Sequence, residues 1–196
     1  NDSGSFIVFH DGEPVFIDVG PEAYTAKTFS KDRYTLWPMQ SAYHNLPIIG
    51  GVMQHEGDAY RAGDLKYESN DMEVSFSANL ATAYPKVAGA QRWTRTLVLD
   101  RARGVVKISE DFVLERPVDV TLSLLTATEP TVQKDGIKIG HTLLVFDQKQ
   151  LKASGEKIAI TDEAMKQSWK DSVYRLKLDS AGPVAKGIWN LELRSA

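Results

Sequence analysis

The stretch 5–20, SFIVFHDGEPVFIDVG, sets two alternating apolar runs on either side of Asp11-Gly12. Asp-Gly between such runs is a strong hairpin signal, because a two-residue type I′ turn needs positive φ at both central positions and these residues tolerate it. With the turn centred there, Val8 faces Val15, Phe6 faces Ile17 and Ser5 faces Asp18. Further β-type runs follow at 47–49, 72–80, 93–100, 105–115, 118–126, 137–140, 142–146, 158–161, 173–179 and 188–193. Within them, RTLVLDRARGVVKISEDF reads as a second hairpin turning around Arg101 to Gly104. Only TDEAMKQSWKD looks helical, with Thr161 or Asp162 as N-cap and acids in its first turn. The fold expected is all-β, an antiparallel two-sheet β-sandwich of about ten or more strands with one short helix. Residues 21–33 are polar and read as a long loop, the kind of segment on which binding residues are commonly placed.

Composition narrows the function classes. At 196 residues the chain can bury a sizeable core without disulfides or metals, and no repeat or linker divides it, so residues 1–196 form a single domain. Twenty-three Lys and Arg against 26 Asp and Glu give a net charge of -3, not the field that gathers nucleic acid. Zero cysteines exclude a disulfide framework and thiolate metal sites. No apolar run approaches the length of a membrane span, and NDSGSFIVFH has neither the basic nor the hydrophobic region of a signal peptide. The chain starts without Met, almost inside a strand, which is expected of a fragment of a longer protein.

Two residues stand out chemically. Asp18, in VFIDVG, puts a carboxylate among apolar neighbours, where it needs a cation, several donors or a metal as partner; the bland alternative is an Asp that ends the strand by bonding local amides before Gly20. His44, in WPMQSAYHNLPIIGG (37–51), precedes Asn45 and an apolar strand, at a loop mouth of the sort that feeds a cleft; the bland alternative is a hydrogen-bonded structural His. Asp plus His begins a zinc site but lacks the third protein ligand normally needed. His10, His55 and His141 sit in polar turn or strand-end contexts. Arg92, Arg95, Arg101 and Arg103 bracket one strand, as a solvated hairpin or, more sharply, a site for sugar acids. Trp37, Tyr43, Trp93, Trp169 and Trp189 serve either core packing or stacking on sugar faces.

Taken together, NDSGSFIVFHDGEPVFIDVG, the tyrosine of GPEAYTAKTF, and SAYHNLPIIGGVMQ resemble the heparinase II/III-like family of polysaccharide lyases. The matching set is ordered: a D-x-G-S-F opening, a hairpin ending in D-x-G, then A-x-H-N, an apolar strand, a glycine turn and Gln, over about a third of the chain. The resemblance implies a C-terminal β-sandwich that follows a helical toroid, with an acidic, uronate-containing polysaccharide such as a glycosaminoglycan or alginate in the cleft between them. It also implies a metal site, zinc or another divalent ion, to which Asp18 and His44 contribute and whose remaining His precedes Asn1. Asn45, Gln54 and Tyr24 are then candidates for the substrate cleft. The family's reaction is β-elimination, with its proton-transfer groups upstream of Asn1 and none in residues 1–196. The expected partners are the polysaccharide and the parent's own N-terminal helical domain, with no nucleic acid. A periplasmic or secreted location follows from the polymeric substrate alone. The competing reading is a non-catalytic carbohydrate-binding or scaffold sandwich.

Overall fold

The computed structural model describes all residues, 1–196. Its strands are β1 (Val8–His10), β2 (Glu13–Phe16), β3 (Pro47–Ile49), β4 (Gly63–Ser69), β5 (Glu73–Asn79), β6 (Ala90–Asp100), β7 (Val105–Val118), β8 (Val120–Thr126), β9 (Thr131–Gln133), β10 (Gly136–Ile139), β11 (Thr142–Phe146), β12 (Leu151–Ala159), β13 (Ser172–Ser180) and β14 (Val184–Ser195). A single α-helix, α1 (Glu163–Trp169), lies between β12 and β13. An eight-stranded sheet, in the order β4-β5-β6-β7-β14-β11-β10-β9, accompanies a four-stranded one, β12-β13-β8-β3, and the β1-β2 hairpin stands apart from both. All pairings are antiparallel, so the expected all-β sandwich is what forms.

Alternation explains the core. In β6 and β7 every second residue points inward, which brings Trp93 and Phe112 opposite one another and stacks their rings at 4.6 Å, with Trp189 of β14 edge-on to both. Leu122, Leu124, Leu176 and Leu178 from the smaller sheet are buried in the same cluster. A second, smaller cluster of Ile17, Val19, Leu125, Ile160, Met165 and Val173 lies under α1, whose N-cap is Asp162; its carboxylate accepts the Met165 amide at 2.9 Å. The segment 27–43 carries four one-turn 3₁₀ helices, so much of the predicted loop has local structure.

The opening hairpin forms with one correction. Asp11 (φ 51) and Gly12 (φ 81) make the expected left-handed turn, and His10 faces Glu13 and Phe9 faces Pro14. A bulge between Val8 and Phe9 then shifts the register, so Val8 faces Phe16 and not Val15, and the ladder ends before Phe6 and Ser5. The physical reason is Asn45, whose side-chain amide enters where Phe6 and Ile17 would have paired: Nδ2 donates to Phe6 O at 2.6 Å and to Ile17 O at 3.0 Å. Ile17 turns its own amide to Leu125 O of β8 (2.9 Å), tying the hairpin to the smaller sheet.

Candidate functional site around Asp18 and His44

Asp18 follows β2, and His44 sits between the 3₁₀ turn Ser41–Tyr43 and β3. Twenty-six positions apart in sequence, they meet at 2.8 Å between Asp18 Oδ2 and His44 Nδ1. The side chain of His44 is 9% exposed and that of Asp18 is 37% exposed. The second carboxylate oxygen, Oδ1, accepts the Gly20 amide at 3.1 Å. Burial pushes the Asp18 carboxyl up, but the His44 hydrogen bond and charge, with the Gly20 amide, outweigh it and hold the group below the ordinary Asp range. An ionised Asp18 accepts, so His44 Nδ1 carries the proton and donates; in a neutral ring the lone pair is then on Nε2. Both readings of Asp18 therefore meet in one residue, which ends its strand on a local amide and also holds an imidazole.

The donor set, one carboxylate and one imidazole, has the chemistry that divalent zinc prefers. It is half a shell: the chain assembles no cluster of three or more His, Asp or Glu side chains that could hold a metal. Zinc shared by Asp18 Oδ2 and His44 Nδ1 would have to replace the 2.8 Å hydrogen bond between them, with the Nδ1 proton displaced to Nε2 or to solvent, because a ligating nitrogen needs its lone pair.

The other sequence candidates take different places. Asn45 is wholly buried and presents nothing to a cleft; besides holding Phe6 O and Ile17 O, its Oδ1 accepts the Leu125 amide at 2.7 Å. Gln54, also buried, clamps Ser3 by both backbone groups, accepting its N–H and donating to its carbonyl at 2.9 Å each. Both amides are thus buried and engaged with backbone groups of neighbouring segments. Tyr24 is 66% exposed and packs edge-on against Phe29, apart from this network. Of the aromatics, Trp93 and Trp189 belong to the core, Trp37 packs on Tyr43 at 5.1 Å, and Trp169 donates to Val19 O at 2.9 Å.

The arginines divide. Arg92 pairs with Asp111 on the surface and Arg103 lies near Asp100 and Glu192, as in a solvated hairpin. Arg95 instead points inward and is 3% exposed, against Glu110 at 1%. The signal for this was present: in W-T-R-T-L the alternation puts Arg95 on the face of Trp93 and Leu97, and Glu110 shares the core face of Ile108 and Phe112.

No protein-family model matches the sequence, and no curated protein matches it. Solved structures do. A heparan sulfate lyase, HepC from Pedobacter heparinus, aligns with 98% of this chain at a TM-score of 0.74 and 10% identity. The chain shares its fold with heparan sulfate lyases. A heparinase III aligns with 98% of the chain at a TM-score of 0.66 and 14% identity, and another heparinase III at 0.69 and 10%. The heparinase-like sandwich seen here spans about 30% of the length of these enzymes. No helix is long and apolar enough to cross a membrane.

Proposed function

We propose that this chain is the C-terminal sandwich of a heparinase II/III-like polysaccharide lyase, secreted or periplasmic, that cleaves uronate-containing polysaccharides such as heparan sulfate or other glycosaminoglycans, with alginate as a further candidate. The observation that carries the proposal is the meeting of Asp18 and His44 on a heparinase-like fold, since these residues bear the two halves of the sequence resemblance. In β-elimination a base removes the proton α to the uronate carboxylate, positive charge or hydrogen-bond donors stabilise the resulting enolate, and an acid protonates the departing glycosidic oxygen. No residue of this chain is assigned as base or acid. Its own part is to form one wall of the cleft, with Asp18 and His44 holding part of a divalent metal site and Asn45 and Gln54 fixing the backbone behind them. Bound zinc would supply a fixed positive charge in that wall.

Two measurements test the reading. Calorimetric titration with zinc should show weak binding to residues 1–196, much tighter binding to a protein extended upstream, and loss of that gain on His44→Ala. Equal affinity in the extended protein and its His44→Ala variant would remove His44 from the metal site. The ultraviolet absorbance of unsaturated uronates, followed on heparin, heparan sulfate, hyaluronan, chondroitin and alginate, should rise with the extended protein and stay flat with residues 1–196. Robust turnover by residues 1–196 would show that the proton-transfer groups lie within them.

A further inference from the structure

The Arg95–Glu110 pair has more to do than balance itself. It joins directly opposed residues of β6 and β7 beneath the opening hairpin, with Nη2 and Nε of Arg95 at 2.6 and 2.7 Å from Glu110 Oε1. Glu110 Oε2 accepts from Trp93 Nε1 at 2.6 Å, which fixes the carboxylate. A buried ion pair is weak evidence for stability, because well-packed apolar residues of similar volume often serve a core equally well. The remaining donors of Arg95 show what the pair holds. Nη1 donates to Gly4 O at 2.8 Å and to Asn45 O at 2.5 Å, and the guanidinium lies over the Phe6 ring. One planar fork thus grips the D-x-G-S-F segment and the H-N segment together, 41 positions apart, from the opposite sheet.

We infer that Arg95, held in orientation by Glu110, is a positioning residue for the Asp18–His44 site. The path is short. Arg95 fixes the carbonyl of Asn45, next in chain to His44; Asn45 Nδ2 fixes the carbonyl of Ile17, next in chain to Asp18. The two functional side chains are therefore set by their neighbours' backbones, and both neighbours are referred to one guanidinium. A lysine carries the charge but cannot meet a carboxylate and two diverging carbonyls at once, because its single nitrogen lacks the extended fork. Gly4 suits this place: its φ is +84°, and a Cβ there would press on Leu80 Cδ2 at 2.5 Å, so a side chain would strain the segment whose carbonyl Arg95 holds.

The inference rests on the proposed role of Asp18 and His44, but its test separates the two. The full-length protein is compared with Arg95→Lys and with the volume-conserving double variant Arg95→Met/Glu110→Met, the latter chosen to leave no unpaired buried charge. Thermal unfolding should remain cooperative in both. Amide exchange at 3–6 and 44–46 should rise by about tenfold or more while that of β13 and β14 stays within about twofold, and the Nδ1-bonded proton resonance of His44 should broaden or vanish. Zinc affinity should fall by about tenfold or more in parallel. Unchanged exchange in these segments together with an unchanged His44 resonance, in either folded variant, overturns the inference. Loosened segments with undiminished zinc affinity uphold the positioning role and refute instead the metal role of Asp18 and His44.

Discussion

Asn45→Ala and Asn45→Asp together test whether one buried amide welds the opening hairpin to the sandwich. The side chain makes three hydrogen bonds, to Phe6 O, Ile17 O and Leu125 N, at zero exposure. At about 1 kcal/mol net for each bond, with a further 1–2 kcal/mol or so for groups left buried without partners, Ala should cost about 4–5 kcal/mol. That is a large part of the roughly 5–15 kcal/mol typical of a domain, so the variant folds but melts early. With a urea dependence of about 2 kcal/mol per M, the unfolding midpoint should fall by roughly 2–2.5 M. Asp keeps the size and the acceptor for Leu125 but sets a carboxylate oxygen against two carbonyl oxygens, so at pH 7 it should lose more than Ala. Burial would raise that carboxyl's pKa above its unfolded value. The folded state then gains on the unfolded one as pH falls, and the gap to Ala should narrow toward pH 4, where a protonated acid regains one donor. Urea titrations followed by tryptophan fluorescence, at pH 7 and pH 4.5, measure both effects. An Asp variant at pH 7 that matches the parent, or is more stable than Ala, would show that Nδ2 does not face the two carbonyls.

Gly4→Ala should destabilise the protein by about 2–4 kcal/mol, from a left-handed backbone position and a Cβ pressed against Leu80; a thermal unfolding curve that superimposes on the parent's would refute the packing. Tyr84 is 4% exposed and donates to Pro47 O; burial first of all, with Glu110 adding to it and Arg95 and Gln54 opposing it, raises its phenol pKa. Its stabilising contribution is complete below the ordinary phenol range near pH 10 and is lost as pH rises above it, because the unfolded phenol ionises while the folded one keeps its proton. Tyr84→Phe should therefore lose about 1 kcal/mol at pH 7 for the missing hydrogen bond yet decline less steeply than the parent above pH 10; equal alkaline slopes would contradict the burial argument.

Local chemistry was legible in the residues alone. Asp11-Gly12 could only be a left-handed turn, the alternation in β6 and β7 named their inward faces, and the acid-rich start of α1 named its cap, although Asp162 and not Thr161 fills it. The ordered set of Asp18 and His44 pointed to one site because the resemblance joined two segments that spacing could not. β4 escaped although Leu65 and Tyr67 alternate with Asp64, Lys66 and Glu68: Gly63–Ser69 is an edge strand whose two apolar residues both stay exposed. A period of two states which face a residue takes but not what lies across from it. Arg95 is grouped with the solvated cations although the alternation already gives its inward face and the Arg101 to Gly104 hairpin already sets Glu110 opposite it, whereas nothing local shows that the Asn45 amide takes the place where Phe6 and Ile17 would have paired. The meeting of Asp18 with His44 belongs to the same class: the Asn45 carbonyl is held by Arg95 from the opposite sheet and the Ile17 carbonyl by Asn45 itself, and only tertiary packing brings these groups within hydrogen-bonding range.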